Sequence, residues 1–323
     1  MSNLAPAAAP LASEQAAHAP RTSLPPVRRT RRGRRAEKIM VWAFLTPTIG
    51  GIALFTLIPI VASIVLAFFR WDVISAPEFV GGRNFVDLVA DPTVRRSFGN
   101  TFGFVIIAVT LQLAIALGLA VLVQSKMPGW LRSFFRSVLF FPLILSAASV
   151  SLIMAYLFNE DFGLVNAALG LIGLAPVPWL TSGTGAMLMV ILVYVWQNFG
   201  FSFLLFVGGL ASIPKDVYEA SSIDGVTGWK QFRNITLPLV SPTMLVASVM
   251  AIISALQIFD QPYVLTRGGP GDSTRTAVMV IYEAAFQRLE FGLASAIGIV
   301  LTVIIIAVTA LQFRLSRRFV FYS

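Results

Sequence analysis

Six polar side chains interrupt the apolar stretches in the second half of this 323-residue chain. They are Tyr194, Gln197, Asn198, Ser254, Gln257 and Asp260. Amides and hydroxyls beside aromatic rings suit a sugar, since they hydrogen-bond its hydroxyls while flat rings cover its apolar faces. The last three residues recur at every third position, so one helix would carry them on a single face. The pattern predicts a substrate site; alternatively, these groups hold helices together and Asp260 caps a helix end.

The sequence offers no chemistry for an enzyme. It lacks a phosphate loop of the form G-x-x-x-x-G-K followed by Ser or Thr. It has no cysteine, and its single histidine, His18, lies in a low-complexity stretch. A Ser-His-Asp set or a His/Glu metal site is therefore not expected. We predict a chain without cofactor or metal that does not hydrolyse ATP, so a partner or an ion gradient would drive any active transport.

Composition places the chain in a membrane. It is 57% hydrophobic and 12% charged, whereas soluble domains carry about 25% charged residues. Several apolar runs reach the ~20 residues needed to cross a bilayer, and they are continuous rather than alternating, which favours helices over a barrel. We predict an all-α integral membrane protein with six transmembrane helices. The predicted spans are 42–69, 99–124, 134–158, 185–208, 239–260 and 293–313.

Residues 1–38 are rich in Ala, Pro and Arg and predict a disordered, basic cytoplasmic tail. A transmembrane domain over 39–318 and a short cytoplasmic end at 319–323 follow. The basic run at 28–35 could belong to a cleaved signal peptide, but the next apolar run is too long for one. A retained first span is expected instead, with the arginines against anionic lipid.

The distribution of basic residues predicts the orientation. With the N-terminus inside, 17 of the 24 Lys and Arg residues lie on the cytoplasmic side, nearly half of them in the tail. This asymmetry fits the positive-inside rule and places both termini in the cytoplasm. It also explains the net charge of +9 without nucleic-acid binding.

The longest polar passage, the loop 212–238, falls on the cytoplasmic side. Pro214 can begin a helix, and Asp224-Gly225 can end it. A second short helix would start near Thr227 and end at Pro238, because the residue before a proline resists the helical region. We predict a compact helix–turn–helix that docks a partner.

Smaller elements are expected on the other side of the membrane. These are a helix over 84–90, a Gly- and Pro-rich turn at 268–271 and an amphipathic helix at 282–286. Three prolines within spans can kink their helices, although prolines are common in membrane helices. They are Pro47, Pro59 and Pro142.

The cytoplasmic loop resembles the EAA loop of permease subunits from binding-protein-dependent ABC importers. The pattern there is roughly E-A-A-x-x-D-G-A followed by I-x-L-P. The matching residues are Glu219-Ala220-Ser221, Asp224-Gly225-Val226 and Ile235-Thr236-Leu237-Pro238. Ser221 and Val226 replace the usual alanines. A second stretch, Phe259–Gly271 with Phe291–Ala296, is similar to the carbohydrate-uptake branch, in particular to the first subunit of a maltose-type pair. The resemblance covers about residues 40–318.

The resemblance implies the type I ABC importer permease fold in a prokaryotic inner (plasma) membrane. It implies a second, homologous permease subunit, two ATP-binding subunits that hold ATP and Mg²⁺, and an extracytoplasmic sugar-binding protein. The EAA loop would supply a coupling helix. Its coupling residues would be Glu219, Ala220, Ser221, Asp224 and Gly225, with Glu219 paired to a basic residue of the ATPase and Gly225 allowing the turn.

Other functions stay open at the level of sequence. Within importers, a polyol or glycerol phosphate is the nearest rival substrate, but a phosphate would favour cations within the spans. An ion-coupled secondary carrier would need acidic residues within the spans. A channel or receptor-like scaffold would have no use for the docking loop.

Overall fold

The computed structural model describes residues 31–124 and 127–319, with side chains over 40–124 and 127–317. The chain divides into two units after Pro59. The first unit contains α1 (Arg31–Ile52) and a π-helical turn, Ala53–Leu57; α2 (Ile58–Leu66) follows across the boundary. Residues 31–38, predicted to be disordered, are helical here, because α1 extends the first span towards the N-terminus. Residues 1–30 of the predicted tail lie outside the described part of the chain.

The second unit is built almost entirely of helices. Its first elements are β1 (Phe69–Arg70), β2 (Glu78–Phe79), α3 (Arg83–Ala90), α4 (Pro92–Gln124), α5 (Gly129–Ile144), α6 (Ala147–Leu157) and α7 (Leu164–Leu171). The remaining elements are α8 (Gly183–Ala211), α9 (Lys215–Ile223), α10 (Gly228–Gln231), a π turn Phe232–Thr236, α11 (Leu237–Leu256), α12 (Asp260–Thr266), α13 (Ala277–Tyr282), a π turn Glu283–Gln287 and α14 (Phe291–Phe319).

Five helical runs among the described residues are long and apolar enough to cross a membrane. They are Met40–Leu66, Pro92–Gln124, Gly183–Ala211, Gly228–Leu256 and Phe291–Arg317. The bent pair α5 and α6 makes a sixth if it forms one span. Strand structure in the described part is a single antiparallel pair of two-residue strands. The predicted all-α membrane fold is confirmed.

Helix α8 is the packing centre of the second unit. It contacts α4, α5, α11 and α12, and 67% of the residues in its most apolar 18-residue stretch are buried. Lipid tails are as apolar as the side chains, so close packing rather than the hydrophobic effect brings such helices together. Gly200 shows this packing, since a Cβ at this position would lie 2.5 Å from the Leu139 carbonyl oxygen of α5.

The third span is broken, which corrects the single helix predicted over 134–158. Helices α5 and α6 meet at 98°. Leu145 leaves the helical region with ψ 145° after its N–H bonds the Pro142 carbonyl, and Ser146 is also extended, with ψ 127°. Pro142 cannot continue the regular hydrogen-bond ladder, and the helix ends two residues after it.

The fifth span is longer at its start and shorter at its end than the predicted 239–260. Pro238 does not end a short helix: α10, the π turn and α11 run on from Gly228 to Leu256. Leu237 N–H bonds the Phe232 carbonyl five residues back, immediately before Pro238. The same arrangement precedes Pro59, where Ile58 N–H bonds the Ala53 carbonyl. A wider turn lets a helix pass a ring that would clash with a regular one.

Polar side chains fix the connections between spans. The Asn84 amide donates to the carbonyls of Ala67 and Phe69, at 2.8 and 2.9 Å. The Glu160 carboxylate accepts bonds from the backbone N–H groups of Leu180 and Thr181, which lower its pKa.

The predicted helix at 84–90 is α3, starting one residue earlier. The stretch 282–286 is helical, but Ala284 and Ala285 within it are buried.

A methyl group at Gly200 should loosen the contact between α5 and α8. We expect Gly200→Ala to destabilise the fold by about 1–3 kcal/mol, because the Leu139 backbone must move. The matched control is Gly208→Ala in the same helix, where a Cβ would meet nothing within 4 Å. Thermal unfolding of the purified chain in detergent measures both, and equal midpoints would contradict the packing described here.

Candidate functional site

A polar cavity of about 290 Å³ lies beside the middle of α8. Its wall contains all six polar residues singled out from the sequence, Tyr194, Gln197, Asn198, Ser254, Gln257 and Asp260. The other wall residues are Leu143, Leu145, Ala147, Ile258, Phe259 and Gln261. The cavity is thus formed by α8, the break in the third span, the end of α11 and the start of α12.

The route by which three of these residues meet differs from the prediction. Helix α11 ends at Leu256, and α12 begins at Asp260. Ser254, Gln257 and Asp260 therefore do not share the face of one helix. They line the same cavity because the chain leaves the helix between Gln257 and Phe259 and turns beside α8.

Tyr194 and Ser254 join α8 to α11 within the cavity wall. The tyrosine hydroxyl and the Ser254 hydroxyl are 3.2 Å apart, and the buried tyrosine ring meets Phe104 edge-on with centroids 5.0 Å apart. The Asn198 amide donates to the Tyr194 carbonyl one turn earlier at 2.9 Å. Gln257 is exposed, so its amide is available to a ligand.

Gln197 is occupied by bonds within the protein. Its side chain is buried, its Nε2 donates to the Leu145 carbonyl at 3.0 Å, and its Oε1 accepts from Gln261 Nε2 at 2.9 Å. This matches the alternative of a residue that holds helices together. Gln261 itself was missed from the sequence, because helical spacing from Ser254 and Gln257 selects Asp260 instead.

The cavity wall carries one charged residue, Asp260, and neither Lys nor Arg. Within the described residues, no group of three or more His, Cys, Asp or Glu side chains is placed to hold a metal. The wall can donate and accept hydrogen bonds through amides and hydroxyls, and Phe259 adds an aromatic surface. This arrangement suits a neutral or cationic polar ligand better than an anion.

The residues 215–231 form a second candidate site, which we call the hairpin 215–231. Helix α9 ends in a Schellman motif: Val226 N–H bonds the Ser221 carbonyl at 2.9 Å, and Gly225 N–H bonds the Ser222 carbonyl at 3.2 Å. Gly225 has φ +76°, a left-handed conformation that glycine adopts without strain. Helix α10 begins after Thr227, as predicted.

A serine that departs from the EAA pattern fastens the hairpin 215–231. Ser221 is buried, and its hydroxyl donates to the Tyr218 carbonyl at 2.8 Å. The same hydroxyl accepts a bond from Gln231 Nε2 at 2.7 Å. A hydroxyl thus ties α9 to α10 where an alanine would pack without hydrogen bonds.

The remaining coupling residues named from the sequence face outwards. Glu219, Ala220, Asp224 and Gly225 are exposed. No ion pair within the described residues involves Glu219. Two large apolar side chains beside them are also open, with Ile223 86% and Trp229 71% exposed. An exposed surface that combines charged groups with two large apolar side chains suits contact with a protein partner.

Comparison with known proteins identifies the family. Residues 112–321 match the family model described as "Binding-protein-dependent transport system inner membrane component". This region covers more than half of the chain, including the cavity and the hairpin 215–231. The chain belongs to this family. The resemblance to permease subunits of binding-protein-dependent importers is thereby confirmed.

Relatives and solved structures agree with this family over nearly the whole chain. A probable ABC transporter permease protein of Bacillus subtilis, YurN, is 34% identical over 284 residues, covering 87% of this chain and 97% of its own. The multiple sugar-binding transport system permease protein MsmF of Streptococcus mutans is 32% identical over 284 residues, covering 88% and 97%.

A solved bacterial alginate ABC transporter, in complex with an alginate pentasaccharide-bound periplasmic protein, contains a chain of the same fold. The TM-score is 0.78 at 23% identity, and the likeness covers 88% of this chain and 96% of that one. The permease fold therefore persists where most of the sequence has changed.

A branched side chain at Gly225 should open the hairpin 215–231. We expect Gly225→Val to cost about 1–3 kcal/mol of local stability, since a β-branched residue is strained at φ +76°. Gly225→Asn should cost less, because asparagine tolerates the left-handed region. Hydrogen exchange of residues 215–236 in the full-length chain measures this, and equal exchange in both variants would contradict it.

Proposed function

We propose that this chain is a membrane-spanning permease subunit of an ATP-driven importer and passes a neutral sugar across the membrane by alternating access. The observation that carries the proposal is that one chain contains both a cavity walled by amides and hydroxyls and the hairpin 215–231, which carries the EAA pattern. The names of curated relatives support it, since they include the Streptococcus mutans permease of a multiple sugar-binding system.

The chemistry of the cavity favours a sugar over a phosphate ester. Tyr194, Asn198, Ser254 and Gln257 supply hydroxyl and amide groups, and Phe259 supplies an aromatic face. Sugars need both kinds of contact. A phosphate group calls for Arg or Lys, and the wall offers only the carboxylate of Asp260 instead. Glycerol phosphate is therefore the weaker candidate.

The hairpin 215–231 is the proposed coupling site. It would lie on the cytoplasmic side with both termini, where an ATP-binding subunit with its own ATP and Mg²⁺ can reach it. Glu219, Ala220, Asp224 and Gly225 present the surface, while Ser221 holds α9 to α10 from beneath. Closure of two such ATPase subunits would move this hairpin as a rigid body against its counterpart on a second permease subunit.

The remaining partner of the proposed assembly is an extracytoplasmic sugar-binding protein. The solved alginate transporter is seen with a periplasmic protein of that kind. In our proposal the binding protein releases its sugar above α12, beside the cavity. An ion-coupled carrier is disfavoured, because the one acidic residue at the cavity stands at the start of a helix outside the long spans.

Charge reversal at Glu219 should uncouple the proposed importer. We expect Glu219→Lys to lower ATP-driven uptake at least about tenfold, since a lysine would repel a basic residue in an ATPase cleft. The second permease should still co-purify. Uptake and ATP hydrolysis in proteoliposomes containing all subunits and the binding protein measure the effect.

The matched control for this variant is Asp216→Lys, the same charge change at an exposed position in the first turn of α9. It should retain most of the uptake. Wild-type rates in Glu219→Lys, or equal losses in the two variants, would remove Glu219 from the coupling contact.

Truncation of the cavity amides should weaken sugar handling without affecting the ATPase contact. We expect Asn198→Ala and Gln257→Ala each to raise the KM for uptake about fivefold, the loss of roughly one hydrogen bond. ATPase subunits should bind normally. Gln287→Ala, an exposed glutamine outside the cavity wall, serves as the control. Normal uptake kinetics in both variants would exclude these amides from the site.

A further inference from the structure

Two buried glutamines form a hydrogen-bonded chain across three elements. Gln261, in the first turn of α12, donates through Nε2 to Gln197 Oε1 of α8 at 2.9 Å. Gln197 then donates through Nε2 to the Leu145 carbonyl at 3.0 Å. Both side chains are buried, Gln197 with 4% and Gln261 with 5% of its surface exposed. We call these three groups the 261–197–145 relay.

The relay ends at the break in the third span. Leu145 is the first residue after α5, and the following Ser146 precedes α6 as its N-cap without making a side-chain cap bond. A carbonyl released from a helix within a bilayer must find another donor, from the protein or from a water-filled cavity. Gln197 supplies that donor from α8. All three relay residues lie in the cavity wall, so the position of the break and the shape of the cavity are set together.

The order of the two bonds gives Gln261 a specific task. A glutamine amide has one donor end and one acceptor end. Because Gln261 donates to the oxygen of Gln197, the nitrogen of Gln197 must face Leu145. The Leu145 carbonyl can only accept, so it selects the nitrogen end of the Gln197 amide, and Gln261 supplies the matching donor to the oxygen end. Without Gln261, the buried Gln197 oxygen loses this donor and the amide is held at the Leu145 end alone, so Gln261 fastens the second end of the side chain that holds the break.

We propose that Gln261 is a positioning residue for substrate binding: through Gln197 it holds the Leu145 break, and with it one wall of the cavity. The proposal rests on the proposed sugar-transport function. It assigns Gln197 an indirect role, since both ends of its amide are already engaged and its side chain is almost wholly buried. Gln261 acts from α12. The family resemblance had indicated no role for this residue.

Methionine variants test the relay, because methionine is close to glutamine in length and shape but makes no amide bonds. In the complete importer we expect Gln261→Met and Gln197→Met each to raise the KM for sugar uptake roughly fivefold to tenfold, with the maximal rate within about twofold of wild type. The double variant should be no worse than either single one, because both act on one chain of bonds.

The matched control is Gln312→Met. Gln312 also links two helices, since its Nε2 lies 3.3 Å from the Ser248 hydroxyl of α11, but neither residue lines the cavity. Its replacement should leave the KM unchanged. If Gln261→Met shifts the KM no more than Gln312→Met does, or if the two relay variants add fully, the relay does not position the site.

A distance measurement tests the relay independently of transport. The chain has no cysteine, so Val138→Cys in α5 and Ile153→Cys in α6 introduce the only two thiols of this chain, one on each side of the break, for spin labelling before assembly with the partner subunits. Both positions are exposed. Double electron–electron resonance on the assembled complex should show one narrow distance distribution that broadens with Gln261→Met and not with Gln312→Met.

The two readouts separate the hypotheses. An importer that moves no sugar, but whose break loosens in Gln261→Met, would overturn the proposed function and retain the relay. Normal sugar uptake with an unchanged distance distribution in Gln261→Met would overturn the relay and retain the function.

Discussion

Backbone groups released from a helix inside a bilayer must be satisfied by other protein groups or beside a water-filled cavity, and this constraint shapes the centre of the protein. Two spans stop being helical beside α8, one at Leu145 and one after Leu256. Each break is satisfied by a side chain from another element: Gln197 bonds the Leu145 carbonyl, and the Thr276 hydroxyl bonds the Ile258 carbonyl at 3.0 Å. The cavity lies between the two breaks, so the same interruptions of the helices produce both its polar wall and its irregular backbone.

The cavity and the hairpin 215–231 are connected by the same two helices. Helix α8 carries Tyr194 and Asn198 near its middle and ends at Ala211, four residues before α9 begins. On the other side, α10 continues through a π turn into α11, which ends at the cavity. In the proposed mechanism, a displacement of the hairpin 215–231 would reach one wall of the cavity through the residues 212–214 and α8, and the other through the π turn and α11.

Much of the fold could be predicted because apolar runs of about 20 residues have few alternatives to spanning a membrane. The EAA loop could be predicted from the sequence because its Gly225 turn follows local rules. The two helix breaks could not be predicted. Residues 134–158 are mostly apolar, and neither Pro142 nor the serines of this stretch show that the bend follows at Leu145. The cavity residues were found by polarity, whereas Gln261 was missed because helical spacing fails once the helix has ended.

The π turn at Phe232–Thr236 affects how the fifth span should be examined. A π turn inserts one residue into the regular repeat, so a helical wheel drawn from Gly228 to Leu256 rotates by about 100° at this point, the angle of one residue at 3.6 per turn. Residues that such a wheel assigns to one stripe lie on different sides before and after Pro238. For scanning mutagenesis, cross-linking or label placement in this span, angles on the wheel should therefore be counted from Leu237, and the residues 228–231 need a wheel of their own.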